Sequence, residues 1–339
     1  MRDFLKYATF WALTHSWLPL SAQDPSFSQF FSSPLNINPA LSGTINSDWR
    51  VVSNLRTQWV GPTSPYQTST ISFDGAILQD RITENSQLAG GIMMMNDRVM
   101  NGALSSNYLS LNTTFNLQIG ESFNGTIHRL GAAIGGIYGH RRVDYSMLNF
   151  AEQFNGRTFD VNLPTGQATL SQMKPYFSST AGMIYSQISD FYNLDIGGAV
   201  FHANRPRQTF LEDMDQALPP RYVAHANLEI FLSSGMILNT NAVFQKQSSA
   251  NYLSFGGSIA YYLNEDENMI LNAGLWYWSK NALTPYLGMV YRRLQIGFTY
   301  DLTTSKLASA SRRPHTWELS LVFRGEKRKM KGLMYCPWK

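Results

Sequence analysis

The chain has 339 residues, of which 44% are apolar, 13% are aromatic and 15% carry a charge. Charged residues make up about a quarter of an average soluble protein, so this chain is poor in charge for its length. Its net charge of +4 is too small to indicate a nucleic-acid partner. The single cysteine, Cys336, excludes an internal disulfide framework and a cysteine-based metal cluster.

The first 22 residues are typical of a cleaved signal peptide. Arg2 and Lys6 give a positive start, "YATFWALTHSWLPL" forms an apolar core, and Ala22 is a small residue at the predicted cleavage site. The alternative is a short membrane anchor, but the apolar run is shorter than the ~20 residues that a spanning helix needs. We therefore assign residues 1–22 to a signal peptide and exclude them from the predicted fold.

The next segment has neither a helical nor a strand period. Residues 23–43, "QDPSFSQFFSSPLNINPALSG", contain three prolines, and proline lacks the amide donor that a sheet ladder needs. The phenylalanines, leucines and isoleucine of this stretch nevertheless require burial. We expect an irregular but ordered segment that packs against the structure formed by the rest of the chain.

Strict alternation of apolar and polar residues follows. In "LQIGFTYDL", Leu294, Ile296, Phe298 and Tyr300 alternate with polar or small residues. A period of two indicates a strand with one apolar and one polar face. The predicted strands span residues 48–56, 66–76, 88–97, 107–117, 128–140, 174–186, 192–202, 221–231, 236–246, 251–262, 268–278, 282–291, 293–301 and 315–324.

The length of these strands points to a membrane. Most are about ten residues long, whereas strands of soluble proteins usually have roughly five or six. Ten-residue alternating strands match tilted crossings of a bilayer. Because every backbone donor and acceptor needs a partner in lipid, such a sheet must close on itself. The predicted fold class is all-β, a transmembrane antiparallel up-and-down β-barrel of about fourteen strands; a soluble barrel or double sandwich is the alternative.

The connections between the predicted strands alternate in length. The longest gaps, 141–173 and 203–220, follow the fifth and seventh strands and therefore lie at one end of an antiparallel barrel. Outer-membrane barrels have short periplasmic turns and long external loops. We expect an outer-membrane barrel over 48–324 with both termini periplasmic. The periplasmic N-terminal segment, 23–47, would pack under or into the barrel mouth, and 325–339 would form a basic periplasmic tail.

The sequence contains no recognisable catalytic or metal-binding motif. The six histidines lack metal-ligand spacing, and no nucleophile elbow or phosphate loop is present. A lipid hydrolase is a rival hypothesis if a serine pairs with His202 or His225 near the external interface. Polar residues on the predicted inward register could line a pore or form a plug; they are Asn193, Asp195, His225, Asn227, Glu229, Asn239, Asn241, Gln295, Asp301 and Glu318.

Two stretches are similar to one known family. They are "AQDPSFSQFFSSPLNINPALSG", directly after the predicted signal peptide, and "TPYLGMVYRRLQIGFTYDLTTSKLASASRRPHTWELSLVFR", residues 284–324. Both resemble the PorP/SprF family of Bacteroidetes. The resemblance covers nearly the whole mature chain, and its opening motif is the more specific part.

The resemblance implies a non-enzymatic outer-membrane barrel of the type IX secretion system that needs no cofactor. Such a barrel would retain or help to export a secreted surface protein, an adhesin or gliding-type cargo, that carries a type IX C-terminal signal domain. Further implied partners are periplasmic peptidoglycan-binding or motor-ring secretion components and outer-membrane lipid, with no nucleic acid. The alternative function is a passive outer-membrane porin or ligand channel.

The candidate partner-binding residues lie in three regions. Loops on a rigid scaffold often carry recognition, so the external loops 141–173 and 203–220 together form one of them. The N-terminal segment and the basic tail are the other two, as the candidates for docking on the periplasmic side. The residues are Phe27, Phe30, Phe31, Pro34, Asn38 and Pro39 in the segment, Arg205 and Arg207 in the loop, and Lys327, Arg328 and Lys329 in the tail.

Overall fold

A computed structural model describes most of the chain. The described residues are 23–325 apart from 62–63, 80–81, 84, 166–172, 209–216, 233–234, 265–268, 280 and 310–312. The predicted signal peptide and the basic tail from residue 326 onwards lie outside them. Within the described residues, no helix is long and apolar enough to cross a membrane.

Fourteen antiparallel strands form a closed barrel. Each strand pairs with its neighbours in sequence, and the first pairs with the last. The strands are β1 (Trp49–Val60), β2 (Tyr66–Gln79), β3 (Ser86–Val99), β4 (Leu104–Glu121), β5 (Ile127–Val143), β6 (Tyr176–Ile188), β7 (Tyr192–Phe201), β8 (Arg221–Leu232), β9 (Met236–Gln247), β10 (Ala250–Asn264), β11 (Met269–Trp278), β12 (Ala282–Tyr291), β13 (Leu294–Thr303) and β14 (His315–Arg324). The predicted up-and-down barrel and its strand number are confirmed.

The two faces of the barrel wall differ in chemistry. Leu111, Ile134 and Leu287 point outwards and are more than half exposed, whereas Ser110 and Asn112, which flank Leu111 and point inwards, are buried. Apolar side chains outside and polar side chains inside are the reverse of a soluble protein and match a barrel wall in lipid. The alternation in sequence therefore encodes a lipid-facing surface around a polar lumen.

The two ends of the barrel differ in the length of their connections. The end at which β1 finishes, here the long-loop end, carries the connections 144–175 and 202–220. The end at which β1 begins, here the short-turn end, has connections as short as 189–191 and 292–293. Four short 3-10 helices of the described residues lie in connections at the long-loop end, Met100–Gly102, Tyr145–Met147, Ala151–Gln153 and Lys306–Ser309. The predicted grouping of the long connections is confirmed.

Residues 24–47, here the lumen segment, lie inside the barrel. The segment contains the 3-10 helix Phe30–Ser32, the α-helix α1 (Pro34–Ile37) and the 3-10 helix Pro39–Leu41. A proline begins each of the last two helices, where its missing amide donor removes no helical hydrogen bond. Leu35, Asn38 and Ala40 have 1% or less of their surface exposed. The segment is therefore ordered and irregular, as the sequence predicts.

The path of the lumen segment corrects its predicted place. Asp24 contacts His202 and Gln247 at the long-loop end, whereas Gly325 donates a hydrogen bond to the Trp49 carbonyl at the short-turn end. The two ends of the described chain thus lie at opposite ends of the barrel, so the expectation that both termini lie on one side is wrong for the described residues. The segment packs into the barrel, as expected, but runs through it from one end to the other. The segment is long enough for this path, because about 24 residues at ~3.3 Å each exceed the ~30 Å thickness of the hydrocarbon core that the barrel spans.

Candidate functional site in the lumen

A buried ion cluster joins the lumen segment to three strands. Arg56 of β1 contacts Asp301 of β13 through Nη2 at 2.9 Å and Glu318 of β14 through Nη1 at 3.2 Å. Arg56, Asp301 and Glu318 are almost fully buried. The guanidinium also lies 4.8 Å from the centre of the Trp278 ring. Two carboxylates around one arginine leave acceptor capacity for the lumen segment.

The lumen segment uses this acceptor capacity. The amides of Ser28 and Gln29 donate to the two Glu318 carboxylate oxygens at 2.8 and 3.1 Å. The Ser28 hydroxyl donates to Asp301 at 2.8 Å and also contacts Arg56. Hydrogen bonds to charged groups are the stronger kind, so this cluster is the firmest polar anchor of the segment.

Gln29 anchors the segment to the same wall. Its side-chain amide donates to the Glu318 carbonyl at 3.0 Å and to Thr299 Oγ1 at 3.3 Å. Its side-chain oxygen accepts from the Ser320 hydroxyl at 2.6 Å. The residue has no exposed surface, and its partners satisfy the amide inside the lumen.

Asn38 anchors the segment to the opposite wall. Its Nδ2 donates to the carbonyls of Met183 in β6 and Gly198 in β7, at 2.9 and 3.3 Å, and lies 3.0 Å from His225 Nε2. Its Oδ1 caps the following helix by accepting from the Ala40 amide at 2.9 Å. A Cβ added at Gly182 would collide with Asn38, so a glycine is needed for the close approach.

Asp74 holds the segment near the short-turn end. Arg50 Nε and Nη2 donate to the two Asp74 oxygens, each at 3.0 Å. The Gly43 amide donates to the same carboxylate at 2.9 Å, and Gly43 has a φ of +68°, which glycine adopts without strain. The bidentate arginine pair orients the carboxylate towards the lumen segment.

Asp24 holds the segment at the long-loop end. Its Oδ2 lies 2.8 Å from His202 Nε2 and 3.3 Å from Arg221 Nε. The Asp24 amide donates to Gln247 Oε1 at 2.8 Å. Burial raises the pKa of Asp24, but His202 and Arg221 outweigh it and hold the pKa well below its ordinary value. The carboxylate is therefore ionised at neutral pH.

His202 also contacts a serine, which bears on the lipid-hydrolase hypothesis. Ser178 Oγ lies 2.7 Å from His202 Nδ1, so Ser178, His202 and Asp24 form a hydrogen-bonded chain. Ser178 has no exposed surface and His202 is 2% exposed. A nucleophile must reach a substrate carbonyl, and this hydroxyl is covered. The second candidate, His225, contacts Asn38. The geometry supports a structural anchor at both histidines.

Aromatic side chains fill the space between the two walls. Phe31 stacks on Trp276 with ring centres 4.5 Å apart and meets Tyr286 edge-on at 5.4 Å. Phe30 packs with Val243 and Ile137 in the same buried cluster. Each such aromatic pair contributes about 0.5–1.5 kcal/mol beyond the burial of its surface. The burial that these phenylalanines require is supplied by the barrel interior.

An open chamber lies between the lumen segment and the short-turn end. Its empty space is ≈ 970 Å³, part of which is open to solvent. Phe31, Pro34 and Trp276 line it together with polar groups of the wall. The inward register predicted for the polar residues is confirmed. Asp195, His225, Asn227, Glu229, Asn239, Asn241 and Gln295 line the chamber, and Asn193, Asp301 and Glu318 are buried.

The predicted partner-binding residues fall into three groups. Phe27, Phe30, Phe31, Pro34, Asn38 and Pro39 lie inside the lumen, where all are buried except the partly covered Phe31. They contact the barrel wall in this structure, in agreement with the predicted packing into the barrel, and their binding to a partner stays a prediction. Arg205 and Arg207 are exposed at the long-loop end, as predicted. Lys327, Arg328 and Lys329 lie outside the described residues.

Sequence reasoning missed the charged anchors of the lumen segment. Arg56 and Asp74 occupy inward positions of β1 and β2, each between small or apolar outward residues. Charged residues on the inward register of a barrel need partners, and this signal was available in the sequence. Asp24 carried no such signal because its partners lie at least 178 positions away. Among the described residues, no group of His, Cys, Asp or Glu side chains could hold a metal ion.

Comparisons with known proteins identify a family and a fold. The family described as type IX secretion system membrane protein PorP/SprF matches residues 20–323. No curated protein matches. A TodX monoaromatic hydrocarbon channel deltaS2 mutant has a TM-score of 0.51 and 10% identity, covering 86% of this chain and 93% of that chain. The P. putida toluene transporter TodX has a TM-score of 0.44 and 11% identity, with the same coverage. Identities this low show the barrel fold alone.

Removing the arginine of the ion cluster tests the main anchor. Arg56→Met keeps the length of the side chain but leaves Asp301 and Glu318 buried without a cation. We expect a loss of about 3–5 kcal/mol in the free energy of unfolding, measured by urea titration in detergent. The control, Arg293→Met, changes an exposed arginine at the short-turn end, and we expect it to cost under about 0.5 kcal/mol. Equal losses of unfolding free energy in the two variants would contradict the role of Arg56 as an anchor.

The lowered pKa of Asp24 predicts how its contribution varies with pH. A depressed pKa in the folded state means that Asp24 stabilises the fold above the ordinary value of 3.8. This stabilisation is lost as the pH falls below 3.8 and through the folded-state pKa. We expect Asp24→Asn to lower thermal stability at neutral pH and to match the wild type in strong acid. Asp190→Asn, at an exposed turn, is the control, and an Asp24→Asn effect that persists in strong acid would refute the assignment.

Proposed function

The chain belongs to the PorP/SprF family of type IX secretion system membrane proteins, and from this membership we propose that it retains or helps to export a secreted surface protein. It is an outer-membrane β-barrel. The observation that carries the proposal is the lumen segment, which hydrogen-bonds to β1, β6, β7, β13 and β14. A lumen occupied in this way favours recognition at the barrel ends over passage through its centre. We propose no catalytic role.

The long-loop end offers the contact surface for the secreted protein. Arg205 and Arg207 are exposed there, and Arg205 borders a groove with Tyr222 and Lys246. Phe154 and Phe159 are each about half exposed and pack with ring centres 5.1 Å apart. Arginine and aromatic residues are enriched among the residues that dominate binding energies. Long loops of outer-membrane barrels are external, so we propose that this surface meets the C-terminal signal domain of the cargo.

The short-turn end is the proposed periplasmic side. The chamber opens in this half of the barrel, and the described chain ends there at Gly325, beside Trp49. The basic tail continues from this point, with Lys327, Arg328 and Lys329 in its first residues. We propose that this end links the barrel to a periplasmic peptidoglycan-binding or motor-ring component of the secretion system.

Recovery of bound proteins tests the docking proposal. The tagged barrel, cross-linked in its native cells and purified, should carry a large secreted protein with a type IX C-terminal domain. Reversing two charges at the proposed surface, Arg205→Glu with Arg207→Glu, should lower this recovery about tenfold, since each hot-spot contact is worth more than about 1 kcal/mol.

The matched control reverses two charges at the other end, Arg292→Glu with Arg293→Glu. We expect this control to leave cargo recovery unchanged. Mass spectrometry quantifies the cargo and the barrel in each preparation. Failure to recover either a cargo or a periplasmic secretion component would overturn the proposed role. Equal losses in both double variants would overturn the assignment of the surface.

A ligand channel is the second candidate function. The chamber below the lumen segment is the observation that favours it, because apolar side chains and a few polar groups line it together, as they line ligand sites. The similar barrel TodX is described as a monoaromatic hydrocarbon channel. A channel would require the lumen segment to leave its anchors on both walls.

Conductance in planar bilayers separates the two candidates. A barrel closed by its lumen segment should be silent, whereas Asn38→Ala removes the contacts to Met183, Gly198 and His225 and should produce brief openings. Asn162→Ala, in an exposed loop, is the control and should stay silent. Steady conductance by the wild type would contradict the closed barrel and favour the channel.

A further inference from the structure

The outer surface of β2–β5 carries two polar rows at the long-loop end. Outward residues on these strands pair across the sheet, so they form rows around the barrel. The upper row is Gln67, Arg98, Ser105 and Arg142, and the lower row is Ser69, Asn96, Asn107 and His140. These eight residues, here the outer patch, contain two exposed arginines and no acidic residue.

The outer patch lies at the edge of the apolar band. On β4 the outward positions from Leu109 to Ile119 are apolar except for Thr113, and Glu121 follows at the short-turn side. Ten residue steps at ~3.3 Å and a tilt of ~40° give about 25 Å, the height of the apolar band of an outer-membrane barrel. Asn107 and Ser105, the next two outward residues, are therefore level with the lipid headgroups.

The arginines of the outer patch flank a hydroxyl. Ser105 lies directly across from Arg98 on one side and from Arg142 on the other. Directly paired residues have Cβ atoms about 4.5–5.5 Å apart, so both guanidinium groups can reach one tetrahedral anion above Ser105. Two carboxylates lie close to these arginines in sequence, and both accept hydrogen bonds from other groups, although Asp144 also interacts electrostatically with Arg142. Asp97 points inwards and accepts from Tyr66 and Thr68, and Asp144 accepts from the amide and hydroxyl of Ser146.

A groove runs below the arginines into the apolar band. Its empty space is ≈ 1110 Å³, part of which is open to solvent. Asn96 donates to Asn107 at 2.7 Å in the upper part of the groove. The outward side chains that line it are Ile71, Met94, Leu109 and Tyr138, with Asn96, Asn107 and His140 at its upper edge. The groove thus runs from a polar upper edge, next to the row that carries the arginines, to an apolar floor.

We propose that the outer patch and this groove bind a phosphate-bearing lipid of the leaflet at the long-loop end. The phosphate contacts Arg98 and Arg142, because guanidinium groups bind phosphate oxygens through paired N–H donors. The Ser105 hydroxyl donates between them, and an acyl chain lies along Met94 and Leu109. Charge complementarity and the depth of the site select this occupant over a protein segment, which would have to enter the apolar band.

Lipid binding by the purified barrel tests the proposal. The probe is lipid A carrying its phosphates, presented in micelles of dodecyl maltoside, a detergent without phosphate, and bound lipid is counted by native mass spectrometry after release. We expect retention of the phosphorylated lipid, and about tenfold weaker retention in the Arg98→Ala, Arg142→Ala double variant, since the variant loses the charge-assisted hydrogen bonds of both guanidinium groups to the phosphate. Met94→Trp, which fills the groove, should also weaken retention.

Three comparisons identify the ligand chemistry. Dephosphorylated lipid A should be retained as weakly as in the double variant, and inorganic phosphate alone should not compete at equal concentration. Arg157→Ala with Arg293→Ala removes two exposed arginines elsewhere and should leave retention unchanged. Shifted gel mobility on heating shows that each variant is folded. Equal retention of the dephosphorylated lipid, competition by inorganic phosphate, or an equal loss in the control variant would each overturn the proposal.

Discussion

The structure depends on the need to pair the charges that the barrel wall points into its lumen. Arg56, Asp301 and Glu318 are nearly sealed from water, and burying an unpaired charge costs several kcal/mol. Arg56 pairs with both carboxylates, and the Ser28 and Gln29 amides donate to the two Glu318 oxygens. The wall and the lumen segment are therefore mutually dependent, because each supplies the hydrogen-bond partners that the other lacks.

The same dependence explains the composition of the segment. Its phenylalanines fill the space between opposite walls, as the stack of Phe31 on Trp276 shows. Its amides and hydroxyls meet the polar inward residues, which in an empty lumen would face only water. Its prolines begin short helices that need no ladder partner. An isolated strand in the lumen would leave its backbone N–H and C=O groups without ladder partners. Compact turns instead pair many of these groups within the segment itself.

Much of the fold could be predicted from the local alternation of apolar and polar residues. The contacts that hold the lumen segment could not. Alternation with a period of two determined the strands, and β12 and β14 begin and end at the predicted residues. Strand number and connection length then gave the closed barrel and its two unlike ends. The path of the segment was mispredicted because its anchors are non-local. Asp24 meets His202 and Gln29 meets Glu318 across 178 and 289 positions, and no local pattern reports such pairs.

The filled lumen has a consequence for how the two ends of the barrel communicate. Asp24 is fixed at the long-loop end, and Gly43 is fixed by Asp74 near the short-turn end. Between them the segment is held by Gln29 on one wall and Asn38 on the other. Any signal that passes through the lumen must therefore move the segment and break at least one anchor. The Asp24 group is the easiest to reach, because it lies beside the exposed loop that carries Arg205, whereas the Arg56 cluster is enclosed by the wall.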